Sequence, residues 1–486
     1  MKTLSKLTKK LHSLKVFGSL ESEISCIVYD SRKIVADCLF VAIKGDNFDG
    51  HSYIAKAIEL GAIVIVCEVL PSNYADFTNV AFIQVEDSRL ALGELANAFY
   101  DFPAEHLQVI GITGTNGKTT CTFLAKAIWD AAGKSIAIIG TTGIYIADRF
   151  IEATHTTPES LELFELLDEI RKSGIETVVM EVSSHSLVLK RVAAIKFAGA
   201  IFTNLSHDHL DFHKTMAEYA KAKKILFDML QIGAIAVVNS DDSYAELMLN
   251  DTQAEKFSIG FSSIKGNIAC RNILLSKEST SFSIEENGNI YNLSTKLIGR
   301  FNVENTALVA VLALKLGIEF SHIAQGLAQT IGAPGRMERY ILSNKAVAVV
   351  DYAHTPDALE KALKTCKDLL DSEGKLFVVF GCGGDRDKSK RPEMARIATS
   401  LADFTIITSD NPRTEDPAQI IKDVEEGACN NNYSSKIDRK EAIEFAIAKT
   451  TIGDILLIAG KGHEDYQVIG TKKIHFSDSE LVRKYI

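Results

Sequence analysis

The sequence predicts an α/β protein of about three domains, and three observations carry the prediction. At 486 residues the chain is too long for one hydrophobic core. Short runs rich in Val, Ile and Ala recur at strand length, separated by segments of helical character. Most of these runs end in polar and glycine clusters, the pattern of parallel strands whose carboxyl ends gather ligands.

Residues 1–101 contain CLFVAI (38–43), AIVIV (62–66) and AFIQV (81–85) as strands, with a helix around Ile54 to Leu60. That is a small N-terminal α/β domain. From 102 to 332 the strands are VIGITGTNGKTT, IAIIGTTG, TVVMEVSSH, AIFTNLSHDH and IAVVNSDD, a central domain built on a mainly parallel sheet. From 333 to 486 the rhythm restarts with AVAVVDYAH, LFVVFGCGGDRD, FTIITSDNPR and ILLIAGKGH, which predicts a C-terminal, Rossmann-like α/β domain. No short repeat or low-complexity tract interrupts this rhythm, and the eight prolines mark no long linker.

A formal charge of −10 argues against a general nucleic-acid binder, because phosphate backbones are held by excess Lys and Arg. The eight cysteines contain no C-x-x-C pair and read as reduced thiols. The basic N-terminus lacks the apolar core of a signal peptide, and no run reaches membrane-spanning length. A cytoplasmic chain with no membrane insertion, acting as a monomer, is the expectation.

GTNGKTT, residues 114–120, lies between a strand and a helix. Gly114 and Gly117 let backbone N–H groups of the loop converge on phosphate oxygens. Lys118 reaches the terminal phosphates, and the Thr119 hydroxyl suits Mg²⁺. Ile112 stands where the usual P-loop has a small residue, so a tight turn with a solvated lysine is the competing view.

Glu181 and His209 follow strands of the same domain and suit Mg²⁺ ligation; an N-cap or structural ion pair is the alternative for Glu181. HDHLDFH, with His207, His209 and His213, also resembles part of a zinc site, but no second ligand cluster accompanies it. Lys221, Lys223 and Lys224 lie on a helix, where a solvated basic face is the plain reading. In the C-terminal block, Arg386, Arg413, Lys461 and His463 share strand ends with Asp385, Asp410 and Glu464, a mixture of charges suited to a zwitterion.

In order along nearly the whole chain, YDSR, GDNFDGHSYI, TGTNGKTT, MEVSSH, FTNLSHDHLDFH, YAKAK, GRFNVEN, GAPGRME, VDYAHTPD, GCGGDRDKSKRP, SDNPRTEDP and GKGHEDYQ resemble the Mur ligase family. The resemblance implies a ligase of peptidoglycan stem-peptide assembly. ATP would activate the γ-carboxylate of UDP-N-acetylmuramoyl-L-alanyl-D-glutamate as an acyl phosphate, and meso-2,6-diaminopimelate would supply the amine. It assigns ATP to residues 114–120 together with Asn305, Arg336, Asp351 and His354, and Mg²⁺ to Thr119, Glu181, His209 and Lys223, the lysine being carbamylated. Lys118, Lys223 and His209 are thereby the implied catalytic residues.

For the UDP-sugar peptide the matching positions are Ser31, Asp46, Asn47, Phe48, Thr156, Thr157, Ser183, Leu189 and Arg191. Leu189 departs from the glutamine common there. For the incoming amino acid they are Arg386, Asp410, Asn411, Pro412, Arg413, Gly460 and Glu464. Diaminopimelate has a carboxylate at its far end for Arg413 to pair with, where L-lysine has none. The same reaction with L-lysine, or a P-loop ATPase switch without ligase activity, are the alternatives.

Overall fold

The computed structural model describes all residues except 46–47, 263–265, 277 and 371. It divides into two compact units, Met1–Gly111 with Ser135–Gly199 and Ile225–Ala234, and Ile112–Lys134 with Ala200–Lys224 and Ile235–Ile486.

The first unit holds a five-stranded sheet in the order Ser13–Phe17, Ala81–Val85, Ala62–Cys67, Cys38–Val41, Ile27–Val28. All neighbours are parallel except the Ser13–Phe17 edge strand. Alternation along each strand builds two cores. Val64, Val66, Ile83 and Val85 pack with Leu92 and Leu95 of helix Ser88–Phe99. Ile65, Cys67 and Phe82 pack with Ile54 and Ala57 of helix Ile54–Glu59, where a helix was expected. Elsewhere in this unit Ile136–Gly140 pairs in parallel with Thr177–Glu181 and antiparallel with Gly143–Ile146.

In the second unit Ile235–Asn239, Glu255–Gly260 and Ile268–Leu275 pair in parallel. The chain then folds into an antiparallel meander through Thr280–Glu286 and Asn289–Thr295, which the strand rhythm did not predict. Its second turn is Asn287-Gly288, both at positive φ (50° and 82°), as a two-residue hairpin turn requires.

A six-stranded sheet follows, in the order Glu338–Ile341, Val347–Asp351, Ile455–Ala459, Leu376–Cys382, Phe404–Ser409, Tyr433–Lys436. All but its first strand are parallel. Val378, Phe380 and Leu457 face helices Pro356–Asp368, Lys390–Leu401 and Pro417–Glu425, while Val379, Leu456 and Ile458 face helices Arg439–Lys449 and Asp478–Arg483. Helices on both faces of a parallel sheet make the expected Rossmann-like domain. The strands ending at Asp351, Cys382, Ser409 and Ala459 deliver their following loops to one edge. Among the described residues no helix is long and apolar enough to cross a membrane.

Candidate active site

Strand Gln108–Thr113 passes into helix Lys118–Ala131 through the glycine loop. Ile112 is fully buried as part of that strand, which is why a large residue is tolerated at this departure from the usual P-loop. Gly114 (φ 147°) and Gly117 (φ 91°) have no room for a side chain: a Cβ would overlap Thr203 Oγ1 at the first and Asn305 Oδ1 at the second. Asn204 pins the loop, its carbonyl accepting from Thr115 N (2.8 Å) and its Oδ1 from Asn116 N (3.1 Å). Lys118 Nζ donates to the carbonyls of Gly114 and Thr115, both at 2.9 Å, which sets its ammonium across the loop.

Beside the loop lies a cavity of about 630 Å³, lined by Asn116, Gly117, Thr120, Asn305, Arg336 and Asp351 among others. Five of the predicted nucleotide positions therefore line the same space as the loop residue Gly117. Arg336 Nη2 donates to Thr119 Oγ1 (3.0 Å), and its guanidinium lies 4.4 Å from the centre of the Tyr352 ring. Asp351 is half-buried, and its carboxylate accepts from the amides of Met337 and Ala353, each at 2.8 Å. Burial pushes that carboxyl above its usual range.

His354 is held to about 4 by burial, reinforced by Lys390. Its Nδ1 lies 2.9 Å from the Tyr352 carbonyl, which can only accept, so Nδ1 bears the proton and Nε2 the lone pair.

The plain reading of YAKAKKILF fails at one position. On helix Met216–Asp228 Lys221 is exposed, but Lys223 is 1% exposed. Its Nζ donates to the Gly114 carbonyl (2.9 Å) and sits 4.5 Å from the Tyr219 ring centre. Burial, and then nearby Lys118, drives its pKa well below the ordinary lysine range, against an opposing pull from Asp208. A buried neutral amine is a nucleophile, whereas a solvated ammonium is not. His209 is the αL residue preceding helix Leu210–His213, and its ring meets Tyr219 edge-on at 6.0 Å.

At the edge of the six-stranded sheet the predicted amino-acid residues come together. Asn411 Nδ2 donates to Glu464 Oε2 (2.9 Å), and buried Lys461 bonds the same oxygen (2.9 Å) and Asn411 Oδ1 (3.3 Å). Lys461 is thus a brace for Glu464. A Cβ at Gly460 would stand 2.7 Å from Asp410 Oδ2. Arg413, at φ 51°, has its amide bonded to Val468 O (3.0 Å) and its carbonyl to Gly470 N (2.7 Å), while Nη1 donates to Gly384 O at 2.7 Å. Pro412 precedes it in the same loop, and Arg386 is exposed with Nη1 on Asp385 O (2.9 Å). Tyr352 links this edge to the phosphate loop, since its ring stacks with Arg336 and lies 5.1 Å from that of His463.

The first unit gathers a second predicted group. Glu181, at the end of its strand, accepts from Thr141 N and Oγ1, both at 3.0 Å, and Thr141 Oγ1 is 3.0 Å from Thr156 Oγ1. Thr157 Oγ1 donates to the Glu181 carbonyl (2.9 Å) and accepts from Ser183 N (3.1 Å). Arg191 joins through Thr157 O (3.1 Å) and pairs with Glu159 (2.6 Å). Leu189 caps the short helix Ser184–Val188 through its backbone. Ser31 opens a turn capped by Asp30, and Phe48 is 74% exposed. Asp46 and Asn47 lie outside the described residues.

The donor chemistry fits a nucleotide with a hard divalent cation: a bare-backbone loop at a helix N-terminus, the Thr119 hydroxyl, and an amine at Lys223 able to become an oxygen ligand. Among the described residues no group of three or more His, Cys, Asp and Glu gathers as a ready-made metal centre.

Sequence reasoning missed Asp357, which accepts from Asn116 Nδ2 (3.0 Å) and pairs with Lys361 (3.0 Å). It also missed the aromatic partners Tyr219 and Tyr352; Tyr219 stands four residues before Lys223, one turn away on the same helix, which was a usable signal.

Three family descriptions match in series: "Mur ligase family, catalytic domain" over residues 23–100, "Mur ligase middle domain" over 112–313 and "Mur ligase, glutamate ligase domain" over 335–462. The chain is 42% identical, over 99% of both lengths, to UDP-N-acetylmuramoyl-L-alanyl-D-glutamate–2,6-diaminopimelate ligase 1 of Clostridium acetobutylicum. It is 43% identical to the corresponding ligase of Bacillus velezensis, covering 96% of this chain and 95% of the relative. A solved structure titled as a UDP-N-acetylmuramoyl-L-alanyl-D-glutamate–2,6-diaminopimelate ligase superposes with a TM-score of 0.71 at 31% identity, covering 100% of this chain and 98% of that one. Likeness of this extent, on top of a phosphate loop and a charged sheet edge assembled from the motifs that suggested them, makes the chain a member of the Mur ligase family.

Proposed function

We propose that this chain is an ATP-dependent ligase of cytoplasmic peptidoglycan precursor synthesis that joins meso-2,6-diaminopimelate to the D-glutamate γ-carboxylate of UDP-N-acetylmuramoyl-L-alanyl-D-glutamate. The observation that carries it is the sheet edge where Arg413, Asn411 and Glu464 are held together: a guanidinium for a distal carboxylate and acceptors for a distal ammonium, in a chain 42% identical to a ligase named for this substrate. In this reading residues 1–101 bind the UDP-sugar, 102–332 bind ATP and 333–486 bind the amino acid.

A γ-carboxylate oxygen attacks the terminal phosphorus of ATP and ADP leaves, giving an acyl phosphate. The diaminopimelate amine attacks the acyl carbon, loses its proton, and phosphate departs with the former carboxylate oxygen. Lys118 and Arg336 place positive charge where it neutralises the transferring phosphoryl group, and closely placed donors of this kind supply most of such catalysis. Asn305 meets the adenine, while Asp351 and His354 secure the C-terminal wall of the nucleotide cavity. Mg²⁺, held by Thr119, His209 and a carbamate on Lys223, would neutralise phosphate charge. Ser31, Thr156, Thr157, Ser183 and Arg191 hold the UDP-sugar peptide.

The test is phosphate release from ATP with the UDP-muramoyl dipeptide and a panel of amino acids, with the product identified by mass. Release that depends on diaminopimelate and yields the tripeptide is expected, and Lys118→Ala should reduce it at least about 1,000-fold. Equal turnover of L-lysine, or hydrolysis without any amino acid, contradicts the reading.

A further inference from the structure

Beneath the loop that carries Arg413 lies a charged network that no motif reading assigned. Arg391, the second residue of helix Lys390–Leu401, is fully buried. Its guanidinium grips Glu415 with two bonds, Nη1 to Oε2 (3.0 Å) and Nη2 to Oε1 (2.9 Å), and also binds Asp423 (2.7 Å). From there both partners reach into the other loop of the sheet edge. Arg391 Nη2 donates to Gly383 O (3.2 Å), and Glu415 Oε1 accepts from Asp385 N (2.6 Å). Asp385 returns the contact, its carboxylate accepting from Thr414 Oγ1 (2.8 Å) and Thr414 N (3.2 Å).

Between these anchors sits Gly384. Its amide donates to Asn411 O (3.0 Å), and its carbonyl accepts from Arg413 Nη1 (2.7 Å). A Cβ on Gly384 would overlap the Pro412 carbonyl, so the two loops are interlocked at backbone distance. The consequence falls on Arg413. With Nη1 pinned by the Gly384 carbonyl, and with Nε and Nη2 making no hydrogen bond among the described residues, the guanidinium presents its Nε/Nη2 fork, the pair of parallel donors that matches a carboxylate.

We infer that the buried Arg391–Glu415 pair is a positioning device for amino-acid selectivity: it holds the 383–385 loop so that the Gly384 carbonyl aims the Arg413 fork at the distal carboxylate of the incoming amino acid. The inference rests on the proposed diaminopimelate specificity and deepens it. Neither residue touches substrate. The Glu415 carboxyl is held down to about 2, chiefly by Arg391, so the pair stays charged across the working range of pH.

Glu415→Gln keeps the volume and one acceptor and leaves Arg391 paired with Asp423, so the core beneath is not left with an uncompensated charge. It should raise the KM for diaminopimelate by about tenfold, since misaiming a clamp by a fraction of an ångström weakens binding on that scale. The KM values for ATP and the UDP-dipeptide should stay within about twofold, and kcat/KM for L-lysine, which has no distal carboxylate, should not fall. Thr414→Val, at the exposed end of the network, is a folding-safe companion and should shift the same ratio by about threefold. A merely structural brace would lower activity toward both amino acids in parallel. That result, or an unchanged diaminopimelate KM in both variants, overturns the inference. If instead the unaltered protein shows no preference for diaminopimelate, the failure belongs to the proposed substrate and not to the brace.

Discussion

Lys223 and Lys461 are equally buried in the same compact unit and are handled in opposite ways. Lys461 is neutralised by Glu464 and bonded to Asn411, so its charge is spent on holding neighbours in place. Lys223 has a carbonyl and an aromatic face, and among the described residues no carboxylate pairs with it. Burial without a counter-ion drives the Lys223 pKa well below the ordinary lysine range. The phosphate-loop region therefore holds a buried amine with no paired carboxylate among the described residues, and the amino-acid edge a lysine locked into a frame.

The sharpest way to break this comparison is to remove each amine in turn. Lys223→Met should abolish ligation, by about 1,000-fold or more, while leaving the urea midpoint unchanged or raised, because an unpaired buried amine contributes nothing to stability. Wild-type activity should also fall in CO₂-depleted buffer and return with bicarbonate. Lys461→Met, in contrast, should lower stability by about 2 kcal/mol through the abandoned Glu464 carboxylate.

His354 extends the comparison to pH. Its folded value, about 4, lies below the ordinary 6.5, so between these limits the unfolded chain binds the extra proton and stability falls as the solution is acidified. The loss attributable to this group approaches roughly 3 kcal/mol at pH 4. Denaturant titrations of wild type and His354→Gln should diverge below pH 6.5 and run parallel above it.

At the amino-acid edge, Arg413→Ala should raise the KM for diaminopimelate about 30-fold with kcat nearly unchanged, the signature of lost ground-state binding. The smallest effect is expected at Leu189, where the resemblance to the family implies a glutamine: Leu189→Gln should lower the KM for the UDP-sugar peptide by about threefold, one recovered hydrogen bond.

What the sequence made legible follows the reach of each interaction. GTNGKTT declared itself because its chemistry is local, and the four strands ending in polar clusters announced the C-terminal edge because a parallel sheet aligns their ends. The Asn287-Gly288 hairpin was readable from turn chemistry yet lay outside the strand–helix rhythm that organised the reading. Local pattern left Lys223 undistinguished and only the family resemblance singled it out: YAKAKKILF looks solvated, and it is the tertiary fold that turns one lysine of three inward. The Arg391 network was invisible for another reason, since its partners lie 24 and 32 residues away and nothing local marks them as a pair.

The central claim is that ATP is used to activate a carboxylate. It is tested most directly by supplying the UDP-dipeptide with both oxygens of its D-glutamate γ-carboxylate as ¹⁸O and following the label. The account predicts one labelled oxygen in each phosphate released and one retained in the new amide. Phosphate free of label, with tripeptide formed or not, would contradict it.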